Sequence, residues 1–368
     1  MKKRGVKALP LERDLVLKIG PLLELLKEGV KEEVFPGAVA GIYCQEKTYI
    51  LAAGYASLVP FLEPIEEVFL YDLASLTKPL AFGLTLMDLL ETSNLLDPEK
   101  PLKEYLEVPS PFGEIPLFRF LNHTSGLKAW HPFYLEKPLT LEKIFNSIMS
   151  LPLEYKPGEK CLYSDLNFFL FTYLLEKVYG KPFETLYEKA KQRILFSRQS
   201  FLIFKPTSKG IDEEIIVPTS IDPESKKILR GVVEDENTRA LSGVSGVAGL
   251  FGNVYGVLDV LIEILKAYQG ERNGLNPEIV RYFLEFSDPS SEFTLTFMKP
   301  TKAGYSATGG AFSEKTVGHL GYTGCSFFID LERELIVVLL TNRVHPHRGN
   351  EKIKEFRSLF HRAVIENL

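Results

Sequence analysis

Ser75 and Lys78 are the two residues whose types and spacing most directly suggest a chemical reaction. They open a stretch whose apolar residues recur at helical spacing as far as Leu90. Residues three apart on a helix are neighbours, so the hydroxyl and the amine would meet at the helix N-terminus. The helix dipole favours negative charge there, and burial among apolar neighbours would lower the pKa of the amine. The pattern therefore predicts a nucleophilic serine with a lysine base.

This four-residue pattern is weak evidence on its own. A serine at the start of a helix is more often an N-cap than a nucleophile. The same spacing recurs at Ser125 and Lys128, where Gly126 stands at the position that would open a helix. A pattern with two fixed common residues arises by chance about once or twice in a chain of this length. Other groups must therefore support Ser75 before it indicates an active site.

The segment from Pro157 to Asp165 supplies a third candidate group. Its Pro-Gly turn delivers Tyr163 just ahead of a helix that Ser164 or Asp165 would cap. A phenol held near a lysine is a plausible proton relay, because the cation favours the phenolate. Taken in isolation, Tyr163 is better explained as a semi-buried aromatic residue beside a capped helix.

The segment from Gly318 to Gly324 supplies a fourth group. Alternation along a strand would point His319 and Gly321 to one side. Glycine would let a substrate lie against the strand edge, and the backbone N–H of Tyr322 would help to stabilise an oxyanion. Taken in isolation, His319 is better explained as a hydrogen-bonded histidine near a glycine-rich turn.

Taken together, the motifs give the chain a resemblance to the serine β-lactamase and penicillin-binding protein family, especially its class C-like, esterase and D-peptidase branch. The resemblance covers nearly the whole chain, and the motifs follow the order of the family. It rests on Ser75-x-x-Lys78, His123-Thr-Ser-Gly-Leu127, the Pro-Gly to Tyr-Ser-Asp run that ends at Asp165, the Ala-Gly-Leu-Phe run at Ala248, and His319-Leu-Gly321.

The resemblance implies a role for each matching residue. Ser75 would be the acylated nucleophile, and Lys78 its base or proton acceptor. Tyr163 would pass a proton to the leaving group and help to activate the deacylating water, while His319 would orient a substrate carboxylate or support Tyr163. The backbone N–H groups of Ser75 and Tyr322 would form the oxyanion hole. The implied reaction is acylation followed by hydrolysis, and it requires no metal and no organic cofactor.

The chain departs from the family at Asp165, because the second motif commonly ends in asparagine. An ionised aspartate only accepts hydrogen bonds and cannot donate one to a substrate amide carbonyl. It would also pair with Lys78 and keep the amine charged. The departure weakens the case for β-lactam or peptide substrates. We count Asp165 among the expected substrate-binding residues, together with Gly321, Tyr322 and Trp130.

Two loops are candidates for the walls of the pocket, namely residues 132–138 and 206–237. If they line it, the aromatic side chains of Trp130, Phe133 and Tyr134 would select apolar acyl chains. The sequence leaves open whether residues 206–237 cover the cleft.

The patterns around these motifs predict an α+β fold of the β-lactamase/transpeptidase type. Two strands near the N-terminus and three near the C-terminus would form a five-stranded antiparallel sheet flanked by the first and last helices. The middle of the chain would form an inserted all-helical lobe. The expected boundaries are 12–70 and 250–368 for the sheet subdomain and 71–249 for the helical subdomain, which together make one catalytic domain.

Composition limits the class of protein. The 368 residues are 45% hydrophobic and 25% charged, which is an ordinary globular balance. A net charge of −5 and the lack of a basic cluster beyond the first seven residues argue against nucleic acid as a partner. The longest apolar runs are too short to cross a bilayer. Three cysteines provide no disulfide framework, so we expect a cytoplasmic protein without a membrane partner, of open oligomeric state.

Other motifs fit less well. The run Gly243–Gly246 nearly matches the serine elbow of α/β-hydrolases, but Val247 follows where glycine is needed. His345 and His347 lack the partner cluster of a metal site and are expected in a surface loop. Cys325 is expected to be a packed thiol.

The favoured prediction is a serine hydrolase with esterase activity on a small-molecule ester, or on an amide. A D-amino-acid peptidase or weak β-lactamase is the alternative within enzymes. A non-catalytic binding or scaffold protein of the same fold is the alternative from another class. The joint presence of Ser75, Lys78, Tyr163 and His319 argues against the scaffold, because a binding protein does not need the whole set.

Overall fold

The computed structural model describes residues 10–272, 274–301 and 304–368. Its strands are β1 (Gly37–Cys44), β2 (Lys47–Ser57), β3 (Glu63–Pro64), β4 (Tyr71–Asp72), β5 (Leu202–Phe204), β6 (Leu250–Gly252), β7 (Thr316–Leu320), β8 (Ser326–Asp330) and β9 (Leu335–Thr341). Its α-helices are α1 (Pro10–Lys31), α2 (Leu84–Thr92), α3 (Phe118–Leu121), α4 (Leu141–Ser150), α5 (Asp165–Tyr179), α6 (Phe183–Lys191), α7 (Glu236–Ala240), α8 (Val254–Gln269), α9 (Pro277–Glu285) and α10 (Ile353–Asn367).

The main sheet is antiparallel and joins both ends of the chain in the order β3-β2-β1-β9-β8-β7. Strand β1 pairs with β9 in a register that places Ala38 opposite Thr341. The five predicted strands are all present, and the fold class is confirmed. The predicted strand number was wrong by one, because β3 contributes only two residues and one of them is Pro64. Such a short segment has no alternating pattern from which to predict a strand.

The regular structure of the region inserted between β3 and β7 is mostly helical, but the prediction of an all-helical lobe was wrong. Strands β4, β6 and β5 form a second, three-stranded sheet within it. Strand β6 pairs with Tyr71 and Asp72 of β4, which lead directly to Ser75. These strands are two or three residues long, so their pairing depends on tertiary contacts and not on a local pattern. The subdomain boundaries themselves remain a prediction.

Two apolar layers cover the main sheet. On one face α1 and α10 pack together, and the rings of Phe35 and Phe356 meet edge-on at 4.9 Å. On the other face α8 lies against β1 and β9, and a Cβ atom on Gly41 would collide with Val254 and Leu258. The sheet is therefore held between helices. No helix within the described ranges is long and apolar enough to span a membrane.

An aromatic cluster anchors the segment that follows Ser75. Phe82 is completely buried, and its ring meets those of Phe168 and Phe171 edge-on at 5.1 and 5.3 Å. Phe183 adds a third contact at 6.0 Å. Because Phe168 and Phe171 belong to α5, this cluster fixes the nucleophile segment against the helix that begins at Asp165.

We predict that Phe82→Ala lowers the free energy of unfolding by about 3–5 kcal/mol, because it removes a buried ring and leaves a cavity. The control is Phe61→Ala, since Phe61 is 75% exposed and its truncation should change stability by less than about 0.5 kcal/mol. Urea unfolding followed by circular dichroism measures both variants. Equal losses would contradict the assigned role of the cluster.

Candidate active site

Ser75 lies on a tight turn and not at a regular helix start. Residues Ala74–Leu76 form a 3₁₀ turn, and Lys78–Gly83 form a π-helical turn before α2 begins. Pro79 cannot donate a backbone hydrogen bond, which removes one bond that a regular α-helical start would use. Ala74 has a φ of 47°, a conformation unfavourable for a residue with a side chain. The sequence predicted one continuous helix here, and that part of the prediction was wrong.

Asp72 holds this turn in place from behind. Its Oδ1 accepts the Ala74 N–H at 2.9 Å, and its Oδ2 accepts the Glu234 N–H at 2.7 Å. The Asp72 backbone carbonyl accepts the hydroxyl of Thr323 at 2.8 Å. Burial raises the pKa of Asp72 to about 7, against the two N–H groups that lower it. One residue therefore connects the Ser75 turn to the loops at Glu234 and Thr323.

Lys78 is completely buried, and all three of its N–H donors are engaged. The Nζ atom donates to Ser75 Oγ at 3.2 Å, to Asp165 Oδ1 at 2.8 Å and to the Val247 carbonyl at 3.2 Å. Burial by itself lowers the pKa of Lys78, but Asp165, through its charge and its hydrogen bond to the ammonium, acts in the opposite direction, and the pKa is raised. The lowered pKa predicted from the sequence was wrong, and Lys78 is an ammonium in the resting protein.

Tyr163 lies beside this cation as a neutral phenol. The Lys78 Nζ atom is 5.0 Å from the centre of the Tyr163 ring. Burial raises the pKa of Tyr163, and nearby Lys78 and Ser75 only partly lower it. Within the described chain the Tyr163 hydroxyl makes no hydrogen bond of good geometry, although Lys78 and Ser75 lie close to it. It is therefore placed to donate a proton to an incoming group.

Two neutral histidines border Tyr163. The ring of His319 is 5.9 Å from that of Tyr163, and its Nδ1–H donates to the Leu320 carbonyl at 2.9 Å. Burial, aided by the charge of Lys78, lowers the pKa of His319 to about 3, so its Nε2 carries only a lone pair. The ring of His123 lies 4.5 Å from Tyr163 on another side, and its Nδ1 accepts the Ser164 N–H at 3.0 Å.

The end of β7 lies directly against the Ser75 turn. A Cβ atom on Gly321 would come within 2.8 Å of the Leu73 carbonyl oxygen and 3.5 Å of the Ala74 Cβ. Only glycine fits this approach without displacing backbone atoms. Among the described residues no acceptor pairs with the backbone N–H of Ser75 or Tyr322. These two donors remain available for an oxyanion.

The groups open into a cavity of about 820 Å³. Trp130, Tyr134 and the exposed ring of Tyr322 line it, together with Asp165 and Glu234–Glu236, which end the 206–237 loop. Phe133 was expected in the wall, but it is completely buried elsewhere in the core. The cavity thus has aromatic side chains in its lining and acidic side chains at Asp165 and Glu234–Glu236.

Two residues that contribute to the candidate site, Val247 and His123, could not be assigned to it from the pattern of side chains in the sequence. Val247 acts through its backbone carbonyl, which any residue would supply. His123 stood inside a motif, but nothing in the sequence placed it beside Tyr163. The expectation of a surface loop at His345 was wrong, since that ring is buried and accepts the Leu58 N–H at 3.0 Å. In the described segments no group of three or more His, Cys, Asp or Glu residues could hold a metal ion.

The sequence profile of the family described as Beta-lactamase matches residues 22–361, which is most of the chain. The protein belongs to the β-lactamase family. It is a serine hydrolase of that family, and a small-molecule substrate follows from the class.

Proteins that are similar to this β-lactamase family member carry names for different activities. A protein of Escherichia coli (strain K12) named putative D-alanyl-D-alanine carboxypeptidase is 29% identical over 335 residues, covering 81% of this chain and 75% of its own. The structure of EstCE1, a hydrolase with promiscuous acyltransferase activity, has a TM-score of 0.72 and 18% identity, covering 95% of this chain and 100% of its own. The octameric penicillin-binding protein homologue from Pyrococcus abyssi has a TM-score of 0.67 and 19% identity, covering 88% and 73%. At such identities the two structures show a shared fold alone.

We predict that Asp165→Asn slows hydrolysis at neutral pH by at least about tenfold and moves the optimum of kcat/KM to higher pH. Without the carboxylate, Lys78 must first lose a proton before it can accept one from Ser75. The pH profile of the variant is then limited by deprotonation of the Lys78 amine. The pH profile of ester hydrolysis measures the change.

The matched control for this prediction is Asp330→Asn. Asp330 also pairs with a cation, Arg333, at 2.8 Å, but it is completely buried and lies outside the cavity, whereas the Asp165 side chain is 20% exposed. The Asp330→Asn variant should keep the native pH profile whatever its stability. Faster hydrolysis by Asp165→Asn at neutral pH would mean that Asp165 only restrains Lys78.

Proposed function

We propose that the protein is an esterase that hydrolyses small acyl esters through an acyl-Ser75 intermediate. The observation that carries the proposal is the contact between Asp165 Oδ1 and Lys78 Nζ at 2.8 Å. An ionised carboxylate at this position cannot donate a hydrogen bond to an amide carbonyl of a peptide or β-lactam. An ester with a simple acyl group does not need that donor.

Acylation begins with the Ser75 hydroxyl. Its oxygen bonds to the carbonyl carbon of the ester, and its proton moves to Lys78 as Lys78 transfers one of its own protons to Asp165. The electron pair of the carbonyl moves to the oxygen, where the N–H groups of Ser75 and Tyr322 stabilise it. This relay explains how an ammonium with a raised pKa takes part in base catalysis.

Collapse of the tetrahedral intermediate breaks the bond to the alcohol. Tyr163 donates its proton to the departing oxygen, consistent with a phenol that burial keeps protonated. The phenolate regains a proton from Asp165 through Lys78, which restores the resting charges. Water then attacks the acyl group, passes a proton to the same network and releases the acid, while Ser75 regains its hydrogen.

A D-amino-acid carboxypeptidase is the second candidate, because the Escherichia coli relative carries such a name. The two functions differ in the leaving group, which is an alcohol for the esterase and a D-amino acid for the peptidase. We also propose a cytoplasmic location, supported by cysteines at 44, 161 and 325 that are all free thiols. Cell fractionation tests that location.

We predict that Ser75→Ala abolishes turnover of p-nitrophenyl butyrate and the mass increase that a fluorophosphonate probe produces. The matched control is Ser125→Ala, which alters the second Ser-x-x-Lys pattern of the chain. Ser125 is buried and donates to Asn167 Oδ1, so this variant should keep the adduct. Intact-protein mass spectrometry measures labelling, and turnover by Ser75→Ala equal to native would exclude the mechanism.

The leaving group is tested with the same protein. We expect hydrolysis of the ester to exceed release of D-alanine from a D-alanyl-D-alanine peptide, and a penicillin or cephalosporin to leave no lasting adduct on Ser75. Faster release of D-alanine than of p-nitrophenol would favour the peptidase. A stable β-lactam adduct would likewise favour it.

We predict that Trp130→Ala reduces kcat/KM for octanoate esters by about tenfold more than for acetate esters, because a buried methylene contributes about 0.8 kcal/mol. Trp130 is 44% exposed and lines the cavity with Tyr134, 6.4 Å away between ring centres. A series of p-nitrophenyl esters measures the preference, with Phe61→Ala as an exposed aromatic control. An unchanged chain-length preference would remove Trp130 from the acyl pocket.

A further inference from the structure

An arginine contacts the peptide unit between Gly321 and Tyr322 on its carbonyl side, opposite the Tyr322 N–H. The Nη2 atom of Arg357, on α10, donates to the Gly321 carbonyl oxygen at 2.8 Å. In a trans peptide the N–H points away from the carbonyl, so the same peptide unit presents the Tyr322 N–H on its opposite side. We propose that Arg357 is a positioning residue that polarises this peptide and strengthens the Tyr322 N–H as an oxyanion donor. The inference rests on the acyl-serine chemistry proposed above.

The loop does not need Arg357 to satisfy its backbone hydrogen-bond acceptors. The Gly321 carbonyl also accepts the Gly324 N–H at 3.1 Å. The Cys325 carbonyl, which Arg357 also contacts at 2.9 Å, accepts the Gly321 N–H at 2.7 Å. Each carbonyl therefore has a backbone donor without the guanidinium. What Arg357 adds is a charge.

That charge is buried and has no counter-ion. Arg357 is 6% exposed, and in the described ranges its Nε has no acceptor and no carboxylate pairs with it. Burial lowers the pKa of Arg357 to about 10, so it stays charged at neutral pH. Arg348, which also lines the cavity, differs because it is paired with Glu234 and Glu236. An unpaired buried cation is costly in the resting state and favours a nearby negative charge.

A second arginine holds the loop in position without help from Arg357. The Nε atom of Arg343 donates to the Tyr322 carbonyl at 2.8 Å, and its guanidinium lies 4.6 Å from the centre of the Tyr322 ring. Gly321 is also fixed by its packing against Leu73 and Ala74. Loss of Arg357 should therefore leave the Tyr322 N–H in place but weaken it, because a cation on the carbonyl oxygen strengthens the N–H of the same peptide.

The test uses the full chain with Arg357→Gln, which removes the charge, and Arg357→Lys, which keeps it. The matched control is Arg362→Gln, because Arg362 lies on the same helix and, among the described residues, donates its hydrogen bonds to the Gly309 carbonyl at the surface. The measurements are kcat and KM for neutral p-nitrophenyl butyrate, and the affinity for neutral butylboronic acid. The boronic acid forms a tetrahedral anionic adduct with the serine.

Arg357→Gln should lower kcat and the affinity for the boronic acid by about tenfold each, while KM stays near native. This loss is smaller than the ~100-fold or greater loss that follows removal of a whole oxyanion donor, because the Tyr322 N–H is weakened and not removed. Arg357→Lys and Arg362→Gln should stay close to native in both. Because the probes carry no carboxylate, a role in anchoring a substrate carboxylate would leave both measurements unchanged.

Native kcat and boronic acid affinity in Arg357→Gln would overturn the inference, as would an equal loss in Arg362→Gln. If Arg357→Gln does not fold by circular dichroism, Arg357→Lys decides, since a tenfold loss with the charge retained would contradict the proposal. A native protein that neither hydrolyses the ester nor binds the boronic acid would overturn the proposed function and this inference together. Native activity with an unaffected Arg357→Gln overturns this inference alone.

Discussion

The buried ammonium of Lys78 is the interaction on which the site depends. A fully desolvated cation is costly unless its charge is paired, and each of the three ammonium hydrogens needs an acceptor. The acceptors come from three separate segments: the turn at Ser75, the start of α5 at Asp165, and the loop at Val247 that precedes β6. Satisfying one side chain therefore fixes three segments relative to one another. Removing any acceptor would leave a buried donor unpaired and disturb the position of Ser75.

The sheet supplies the remaining half of the site. Pairing of β1 with β9 joins the two ends of the chain, so that β7 lies at the edge of the sheet and its end reaches the Ser75 turn. Gly321 permits the contact with Leu73, and Asp72 ties the same turn to Thr323. Ser75 and the backbone N–H of Tyr322 thus belong to different elements, and close packing between those elements determines their separation.

Much of this was predictable from residue types and spacing. The strands of the main sheet carry strong local patterns. The motifs at Ser75, Tyr163 and His319 are each weak alone, but their joint presence and order indicated a fold that the family match supports. The two- and three-residue strands carry none, because tertiary contacts alone define them. The π-helical turn after Ser75 was missed because apolar spacing does not distinguish it from a regular helix.

Other features depend on distance, which spacing does not reveal. Whether Lys78 has a raised or lowered pKa is a balance between burial and Asp165, and both effects were recognised from the sequence. Only the 2.8 Å contact shows that the carboxylate outweighs burial. The contribution of Arg357 was not foreseen, because an arginine on an amphipathic terminal helix resembles an ordinary surface residue.

The distribution of charge in the site connects the ion pair of Lys78 and Asp165 with the position of Arg357. In the resting site Lys78 and Asp165 neutralise each other, while Arg357 is left as an excess positive charge behind the oxyanion donors. In the proposed reaction the proton of Ser75 reaches Asp165 through Lys78, which leaves Lys78 charged and Asp165 neutral. The new negative charge on the substrate oxygen then faces Lys78 and Arg357 without an ionised Asp165 to offset the charge of Lys78. A site with this balance stabilises the tetrahedral intermediate more than the bound ester, and that difference lowers the barrier.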